Sequence, residues 1–299
     1  MKIKREKYLQ RLIDKQGNRM IKIITGVKHS GKSYLLSEIF KNYLINNGTP
    51  EDHIIYLTLD TKSNEKYLDS EVLNNYLLEH VKNNNEKYYV LLDEIQKCDD
   101  FVPVLNELAY MKNVDVYVTG SNSKMLSSDI ATEFRGRATQ INVYPLSFEE
   151  FYNYVGGDEN KSLNTYMLYG GMPKVVIMED ENEKKDYLKS LYSEIYIKDL
   201  VERNHIERED ILNDILNFLA SQIGSLTNPT NISNSISSIK NEKINSNLVS
   251  SYMTHCINSF LIKKAERFDI KGKTYFSYPN KYYYIDMGLR NARLNYRQY

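Results

Sequence analysis

The stretch IITGVKHSGKSYLL, residues 23–36, constrains the fold of this chain more than any other part of its sequence. An apolar run ends at Gly26, four residues separate it from Gly31, and Lys32 and Ser33 open a helix-forming run. The stretch satisfies G-x-x-x-x-G-K-[ST], with a predicted strand before it and a predicted helix after it. The two glycines allow the backbone to curl so that successive N–H groups point inward. The sequence therefore predicts a phosphate-binding loop.

The loop has a predicted division of roles. The helix that begins near Lys32 adds the positive end of its dipole, and the Lys32 ammonium can reach the β and γ phosphates. The Ser33 hydroxyl can ligate magnesium. The residues predicted to bind the nucleotide are Gly26, Val27, Lys28, His29, Ser30, Gly31, Lys32, Ser33 and Tyr34. A glycine-containing turn with an exposed lysine is the competing interpretation.

A second predicted element is a pair of acids at the end of the apolar run in YYVLLDEIQ. Asp93 can hold magnesium through water, as a Walker B aspartate does. Glu94 follows directly, and a carboxylate beside the γ-phosphate can orient and deprotonate water. Asp followed by Glu favours hydrolysis, whereas an acid on the surface at a strand end is the alternative for Glu94.

The segment VYVTGSNS places polar side chains after another apolar run. Thr119, Ser121 and Asn122 could sense the γ-phosphate or hold the attacking water. Asn122 is the first choice and Ser121 the second, although turn chemistry alone also accounts for this sequence.

The segment EFRGRATQ places Arg135 and Arg137 before a further β-rich run. A cation there could neutralise charge that develops on the γ-phosphate, on its own subunit or on a neighbouring one. Arg137 is the candidate, and an ordinary surface arginine is the alternative.

The first half of the chain alternates β-rich runs with helical patterns. The β-rich runs are residues 21–25, 53–60, 87–93, 114–120 and 140–146. Several are continuously apolar, which suits strands buried on both faces of a parallel sheet. Residues 1–155 are therefore predicted to form an α/β core with a five-stranded parallel sheet.

The second half is predicted to contain two further regions. Residues 156–208 have helical patterns and form a predicted helical lid subdomain. In residues 209–299, three amphipathic helices are followed by two β-rich runs. Three helices closed by a hairpin predict a winged helix-turn-helix.

Charge separates along the chain although its sum is zero. Residues 211–299 hold 11 Lys and Arg against 5 Asp and Glu. Duplex DNA is therefore a possible partner of residues 209–299, and a protein contact is the alternative, because the outward face of the third helix lacks Lys and Arg. The candidate phosphate-contacting cations are Lys263, Lys264, Arg267, Lys271 and Lys273.

Several classes of protein fit this composition poorly. No run approaches the roughly 18 apolar residues needed to span a bilayer, and the N-terminus lacks the apolar core of a signal peptide, so we expect a cytoplasmic protein without a membrane partner. The two cysteines, Cys98 and Cys256, are far apart and do not predict a zinc site or a disulfide framework.

The order of these motifs resembles one family. GVKHSGKS, YYVLLDEIQ, VYVTGSNSKMLSS, FRGR, LSFEEF, LYGGMPKVV, IYIKDLVERN and YYYIDMGLRNA are similar to motifs of prokaryotic AAA-type ATPases that carry a C-terminal domain of unknown function and resemble the archaeal ATPases. The resemblance implies a P-loop NTPase of the additional-strand, catalytic-glutamate type, a helical region and a winged helix. It also implies that members usually continue into a nuclease-like domain, which we expect this chain to lack.

These observations predict an ATPase that uses ATP and Mg²⁺ and moves its C-terminal regions with the nucleotide state. Adenine is favoured over guanine mainly by the resemblance. A slow nucleotide-dependent switch or adaptor is an alternative, and a P-loop kinase is a third interpretation that the Asp93 and Glu94 pair fits less well. A homo-oligomer is possible, since Arg137 could act on a neighbouring subunit.

Overall fold

The computed structural model describes residues 3–82, 84–120, 133, 134, 136–266 and 279–296. It divides into two compact units, Met1–Tyr144 and Pro145–Tyr299. The predicted boundaries at residues 155 and 208 stay a prediction, since the structure divides the chain once.

The first unit contains the predicted five-stranded parallel sheet. Its strands are β1 (Ile21–Gly26), β2 (Ile54–Thr58), β3 (Tyr88–Asp93), β4 (Val114–Thr119) and β5 (Ala138–Val143). The order across the sheet is β2-β3-β4-β1-β5. Strand β4 therefore lies between β1 and β3, so that both strands bearing predicted site residues have their carboxyl ends beside Thr119.

The apolar runs form strands because the sheet is covered on both faces. Every residue of β1, β3 and β4 is buried. Alternate residues of β3 enter two separate apolar clusters, with Val90 and Leu92 in one and Tyr89 and Leu91 in the other. This arrangement follows from the two-residue period of a strand, and it explains why the runs do not alternate with polar residues.

One buried ion pair interrupts the apolar strands. Lys22 of β1 and Asp115 of β4 form a salt bridge, and the Gly17 N–H donates to Asp115 Oδ2 at 2.8 Å. Burial lowers the pKa of Lys22, and the nearby Asp115 carboxylate opposes that shift. The pair lies at the amino ends of its strands, away from the predicted loop.

The helices described in full in the first unit pack around the sheet. They are α1 (Glu6–Ile13), α2 (Lys32–Tyr34, a π-helical Leu35–Phe40 and Lys41–Asn46), α3 (Ser70–His80) and α4 (Phe101–Tyr110). Short 3₁₀ segments cover Glu51–His53, Lys62–Leu68 and Ile95–Lys97. Helix α2 begins directly after the predicted phosphate-binding loop, as the sequence pattern requires.

The second unit begins with helices. They are α5 (Phe148–Val155), α6 (Glu159–Tyr169), α7 (Pro173–Ile177) and α8 (Glu181–Ser190, a π-helical Leu191–Ile197 and Lys198–Asn204). Ser147 caps α5 with Glu150 in a reciprocal capping box. This explains why LSFEEF starts a helix.

Three helices and a small antiparallel sheet follow. They are α9 (Glu209–Ser221), β6 (Leu226–Thr227), α10 (Pro229–Lys240), α11 (Ser246–Asn258), β7 (Ile262–Ala265) and β8 (Asn280–Tyr284). The sheet order is β6-β8-β7. Ile239 near the end of α10 is 82% exposed, and Val249 in the first turn of α11 is buried. Both residues lie next to the face that packs, and helical spacing does not resolve such borders.

The last described helix, α12 (Met287–Arg293), is packed tightly within the second unit. Asp286 caps it and also accepts from the Gly171 N–H at 2.7 Å. A Cβ on Gly288 would lie 2.1 Å from the Tyr169 carbonyl oxygen, so the close approach of these segments requires glycine there. The motifs LYGGMPKVV and YYYIDMGLRNA are therefore two sides of one contact.

Candidate functional site

The predicted phosphate-binding loop leaves the carboxyl end of β1, one strand in from the edge strand β5. Gly26 has φ +135°, and a Cβ there would lie 2.0 Å from the Val143 carbonyl oxygen. Gly31 has φ +92° where α2 begins. Only glycine adopts the first conformation beside the β5 backbone, which is the physical reason for this position of the motif.

The Lys32 side chain is enclosed by the loop. Lys32 is 4% exposed, and its Nζ donates to the carbonyl oxygens of Val27 at 3.0 Å and Gly26 at 3.3 Å. Burial lowers the pKa of Lys32 to about 8, while the Glu94 and Asp93 carboxylates oppose that shift. The ammonium is therefore held close to both predicted acids, where it can change partners if an anion enters the loop.

Asp93 lies at the end of β3 and accepts hydrogen bonds from threonine hydroxyl groups. Thr119 donates to Asp93 Oδ1, and Thr58 donates to Oδ2 at 3.4 Å. Burial raises the pKa of Asp93, while hydrogen bonds from Thr119 and Ser33 lower it. Three chain segments therefore orient one carboxylate. Among the three predicted γ-phosphate sensors, Thr119 ranks below Asn122 and Ser121, and Thr58 is not among the predicted residues. Neither threonine belongs to a sequence motif that would predict a contact with Asp93.

The oxygens at the ends of the predicted loop and of β3 test whether a magnesium ion fits here. The Ser33 hydroxyl is near enough to Asp93 to lower the pKa of its carboxyl group, so one hydroxyl and one carboxylate are available. Magnesium is usually held by one or two such oxygens together with substrate phosphates and waters, so this donor set fits it. Within the described ranges no group of three or more His, Cys, Asp or Glu side chains could hold a metal without a substrate.

Glu94 is held in a strained backbone conformation. Its φ is +56°, which is uncommon for a residue with a side chain. The Glu94 N–H donates to Thr119 Oγ1 at 3.0 Å, and the Gln96 side-chain amide donates to the Glu94 carboxylate. Thr119 therefore contacts both predicted acids, and Gln96 restrains the predicted base.

Arg137 lies at the amino ends of the sheet strands, whereas the loop lies at their carboxyl ends. Arg137 precedes Ala138, which pairs with Ile21, whereas the loop begins beyond Gly26 at the other end of β1. The Arg137 guanidinium stacks on the Tyr110 ring at 4.6 Å. About six residues of strand separate the two positions, or roughly 17–20 Å. The role of Arg137 stays a prediction, and this distance favours action on a neighbouring subunit over action on its own.

Some predicted residues lie outside the described part of the chain. They are Ser121, Asn122, Arg135, Arg267, Lys271 and Lys273. Of the predicted cations of the C-terminal hairpin, Lys263 and Lys264 are described, and both are exposed on β7.

Two family comparisons cover most of the chain. Residues 18–152 match the AAA domain family, and residues 160–299 match the domain of unknown function DUF8612. An uncharacterized protein of Haemophilus influenzae is 36% identical over 293 residues, covering 96% of this chain and 72% of the relative. The chain belongs to the AAA-type P-loop ATPase family. The resemblance seen in the motif order is thereby confirmed.

A second relative of this AAA-type chain is archaeal. The uncharacterized protein MJ1544 of Methanocaldococcus jannaschii is 30% identical over 223 residues, or 68% of this chain and 48% of the relative. The match with this chain thus spans about half the length of that relative. Among solved structures, Cdc6p of Pyrobaculum aerophilum is 11% identical with a TM-score of 0.41, covering 97% of this chain and 93% of that chain.

The fold of an AAA-type P-loop ATPase implies a nucleotide ligand.

In the ranges that the structure describes, no helix is both long enough and apolar enough to cross a membrane.

Proposed function

We propose that this chain hydrolyses ATP at the loop formed by residues 26–33. The observation that carries the proposal is that the Lys32 ammonium, buried within the loop, lies close enough to the buried Asp93 and to Glu94 for their charges to interact. A hydroxyl, a carboxylate and an ammonium from two strand ends are the groups that a magnesium-bound nucleotide triphosphate requires. The family membership supports the same chemistry.

The residues divide the work as follows. The loop backbone and Lys32 would bind and orient the phosphates, and Ser33 and Asp93 would hold Mg²⁺, which when bound would neutralise phosphate charge. Glu94 accepts a proton from the attacking water. Thr119 orients Asp93 through its hydroxyl and Glu94 through the backbone N–H. Asn122 stays a proposed water-positioning residue.

A slow nucleotide-dependent switch is the second candidate function. The Gln96 amide occupies an oxygen of the Glu94 carboxylate, and a base that donates its lone pair to a neighbour is less able to accept a proton from water. Rapid turnover would require Glu94 to leave Gln96. A partner that releases this contact would then control the rate of hydrolysis.

The element order α9, β6, α10, α11, β7, β8 supports a winged helix in the second unit. We propose that this module moves with the nucleotide state. Lys263 and Lys264 are exposed on β7, and the Lys264 ammonium pairs with the Glu266 carboxylate at 2.9 Å. These two lysines favour contacts with DNA phosphates, which would be weakened strongly by salt. A protein partner is the alternative.

Steady-state ATP hydrolysis by the full chain tests the proposal. Replacing Glu94→Gln removes the proposed base and should slow hydrolysis about 100-fold or more while ATP binding is retained. Lys32→Ala should also weaken ATP binding. Glu71→Gln, an exposed acid in the first turn of α3, is the matched control. Hydrolysis that survives Glu94→Gln would remove the catalytic assignment.

The same assay distinguishes the partners of the second unit. Duplex DNA is added at low and at high salt. Stimulation that fades with salt would support DNA contact, and a rate that is indifferent to DNA at both salt concentrations would favour a protein partner.

A further inference from the structure

A buried arginine lies beneath the predicted phosphate-binding loop. Arg5, the residue before α1, is 3% exposed. One terminal nitrogen of its guanidinium donates to the Ser30 carbonyl oxygen at 3.2 Å, and the other donates to the Tyr144 carbonyl oxygen at 2.6 Å. Because the guanidinium is a rigid planar fork, it holds these two backbone groups at a set separation.

Tyr8 completes the contact from the first turn of α1. Its ring centroid is 4.6 Å from the Arg5 guanidinium carbon, and its hydroxyl accepts from the Tyr144 N–H at 3.1 Å. Both the N–H and the carbonyl group of Tyr144 are therefore bound by the N-terminal segment. Cation–π stacking and two carbonyl acceptors compensate the burial of the Arg5 charge.

The loop contacts the end of β5 at two more points. Ser30 Oγ donates to the Val143 carbonyl oxygen at 3.3 Å, and Gly26 pairs with Val143 in the sheet. Tyr144 is the last residue of the first unit. A displacement of Ser30 therefore reaches Tyr144 directly through Arg5, without passing through the rest of the sheet.

The loop is also the segment whose hydrogen bonds a nucleotide would alter. Lys32 Nζ donates to the Gly26 and Val27 carbonyl oxygens, and an entering phosphate would compete for that ammonium. Ser30 lies between these carbonyls and Lys32 in the chain, and its N–H donates to the Val27 carbonyl oxygen at 3.2 Å. If Lys32 leaves the Val27 carbonyl oxygen, the residue that accepts from the Ser30 N–H loses one of its hydrogen bonds.

We infer that Arg5 is a positioning residue that links nucleotide occupancy of the loop to the Val143–Tyr144 segment, where the first unit ends. This inference rests on the proposed function, since it requires a nucleotide in the loop. It assigns the coupling to the N-terminal segment, which contains none of the sequence motifs of the site. Arg5 would touch no reacting atom, so its role differs from that of Lys32 or Glu94.

Hydrogen–deuterium exchange on the full chain tests this coupling. Peptides covering residues 26–33 and 143–150 are followed with and without Mg²⁺ and a non-hydrolysable ATP analogue. The variants are Arg5→Lys, which keeps the charge and loses the fork, and Tyr8→Phe, which loses the hydroxyl and keeps the ring. Lys7→Ala removes an exposed cation from the same helix and is the matched control.

In the wild type and in Lys7→Ala we expect the analogue to slow exchange in both peptides. In Arg5→Lys at saturating analogue, residues 26–33 should still be protected while the change in residues 143–150 is lost. The Kd for the analogue should rise about tenfold, the effect of losing one hydrogen bond to a charged group. Tyr8→Phe should give the same loss in residues 143–150 with a smaller change in Kd.

The outcomes separate the two proposals. In one outcome, the nucleotide response of residues 143–150 persists in both Arg5→Lys and Tyr8→Phe while residues 26–33 are protected. That result would overturn the inference about Arg5 and leave the proposed function intact. Absence of protection of residues 26–33 in the wild type would overturn the proposed function, and the inference with it. Equal losses in Lys7→Ala and Arg5→Lys would show a general effect of charge on α1 and would also overturn the inference.

Discussion

At the scale of single residues, the site depends on charged groups that are buried before any ligand arrives. Lys32 and Asp93 are each 4% exposed, and their pKa values shift in the directions that favour the neutral forms. Each is stabilised by a neighbour of the opposite charge or by hydroxyl donors. A phosphate chain with its metal would supply further opposite charge to both groups, so the charges at this site suit such a ligand.

The lowered pKa of Lys32 predicts a pH dependence of nucleotide binding. Phosphate is attracted to the protonated ammonium, which is lost as the pH rises through about 8. At pH 9 about one tenth of the lysine is protonated, so the Kd for ATP should rise about tenfold between pH 7 and pH 9. Titrations of ATP binding at both pH values measure this.

The matched variant for this prediction is Lys32→Arg. A guanidinium stays protonated over this range, so the Kd of the variant should be nearly independent of pH whatever its absolute value. Equal pH dependence in the wild type and in Lys32→Arg would assign the effect to another group.

At the scale of elements, glycine-mediated contacts determine how close segments of the second unit can approach. A Cβ on Gly171 would lie 2.2 Å from the Leu146 carbonyl oxygen, and a Cβ on Gly288 would lie 2.1 Å from the Tyr169 carbonyl oxygen. The capping carboxylate of Asp286 joins the same segments. Burial raises the pKa of Asp286 to about 6, while backbone N–H groups oppose the shift. The contact thus depends on shape as much as on charge.

Replacing Gly288→Ala should destabilise the protein because α12 must move away from the Tyr169 carbonyl. We expect a loss of about 2–3 kcal/mol in the free energy of unfolding, as for other overpacked sites. Gly48→Ala is the control: Gly48 has φ +87°, but a Cβ there would meet no atom within 4 Å. It should lose only about 1 kcal/mol from backbone strain. Chemical denaturation of both variants measures the difference, and a larger loss in Gly48→Ala would contradict this account.

At the scale of the whole molecule, we propose that Arg137 acts across subunits. The loop lies at the carboxyl ends of the strands and Arg137 at their amino ends, so one chain does not bring the two together. A head-to-tail assembly would join the loop of one copy to Arg137 of the next.

Mixing inactive variants tests this arrangement. Lys32→Ala and Arg137→Ala should each be nearly inactive, but an equimolar mixture should recover about a quarter of the wild-type rate, because random head-to-tail pairing joins intact loops to intact arginines. Lys32→Ala mixed with Glu94→Gln is the control and should recover nothing, since both residues serve the same site of one chain. An active Arg137→Ala variant, or a mixture without recovery, would contradict a role across subunits.

The strands, the loop and the pair of acids at the end of β3 could be predicted from the sequence. Their signals are local: apolar runs, two glycines at a set spacing, and Asp93 with Glu94 at the end of a buried strand. Such signals depend only on chain neighbours, so they can be recognised without the fold.

The tertiary structure alone decided which side chains meet at these positions. Thr119 contacts Asp93 because β4 lies between β1 and β3, and Arg5 bridges to Tyr144, 139 residues away, because both lie beside the loop. The end of the strands at which Arg137 lies also follows from strand order and direction. Contacts between distant residues depend on how elements pair and pack, which local spacing does not encode, so the residues that support the site emerged only from the fold.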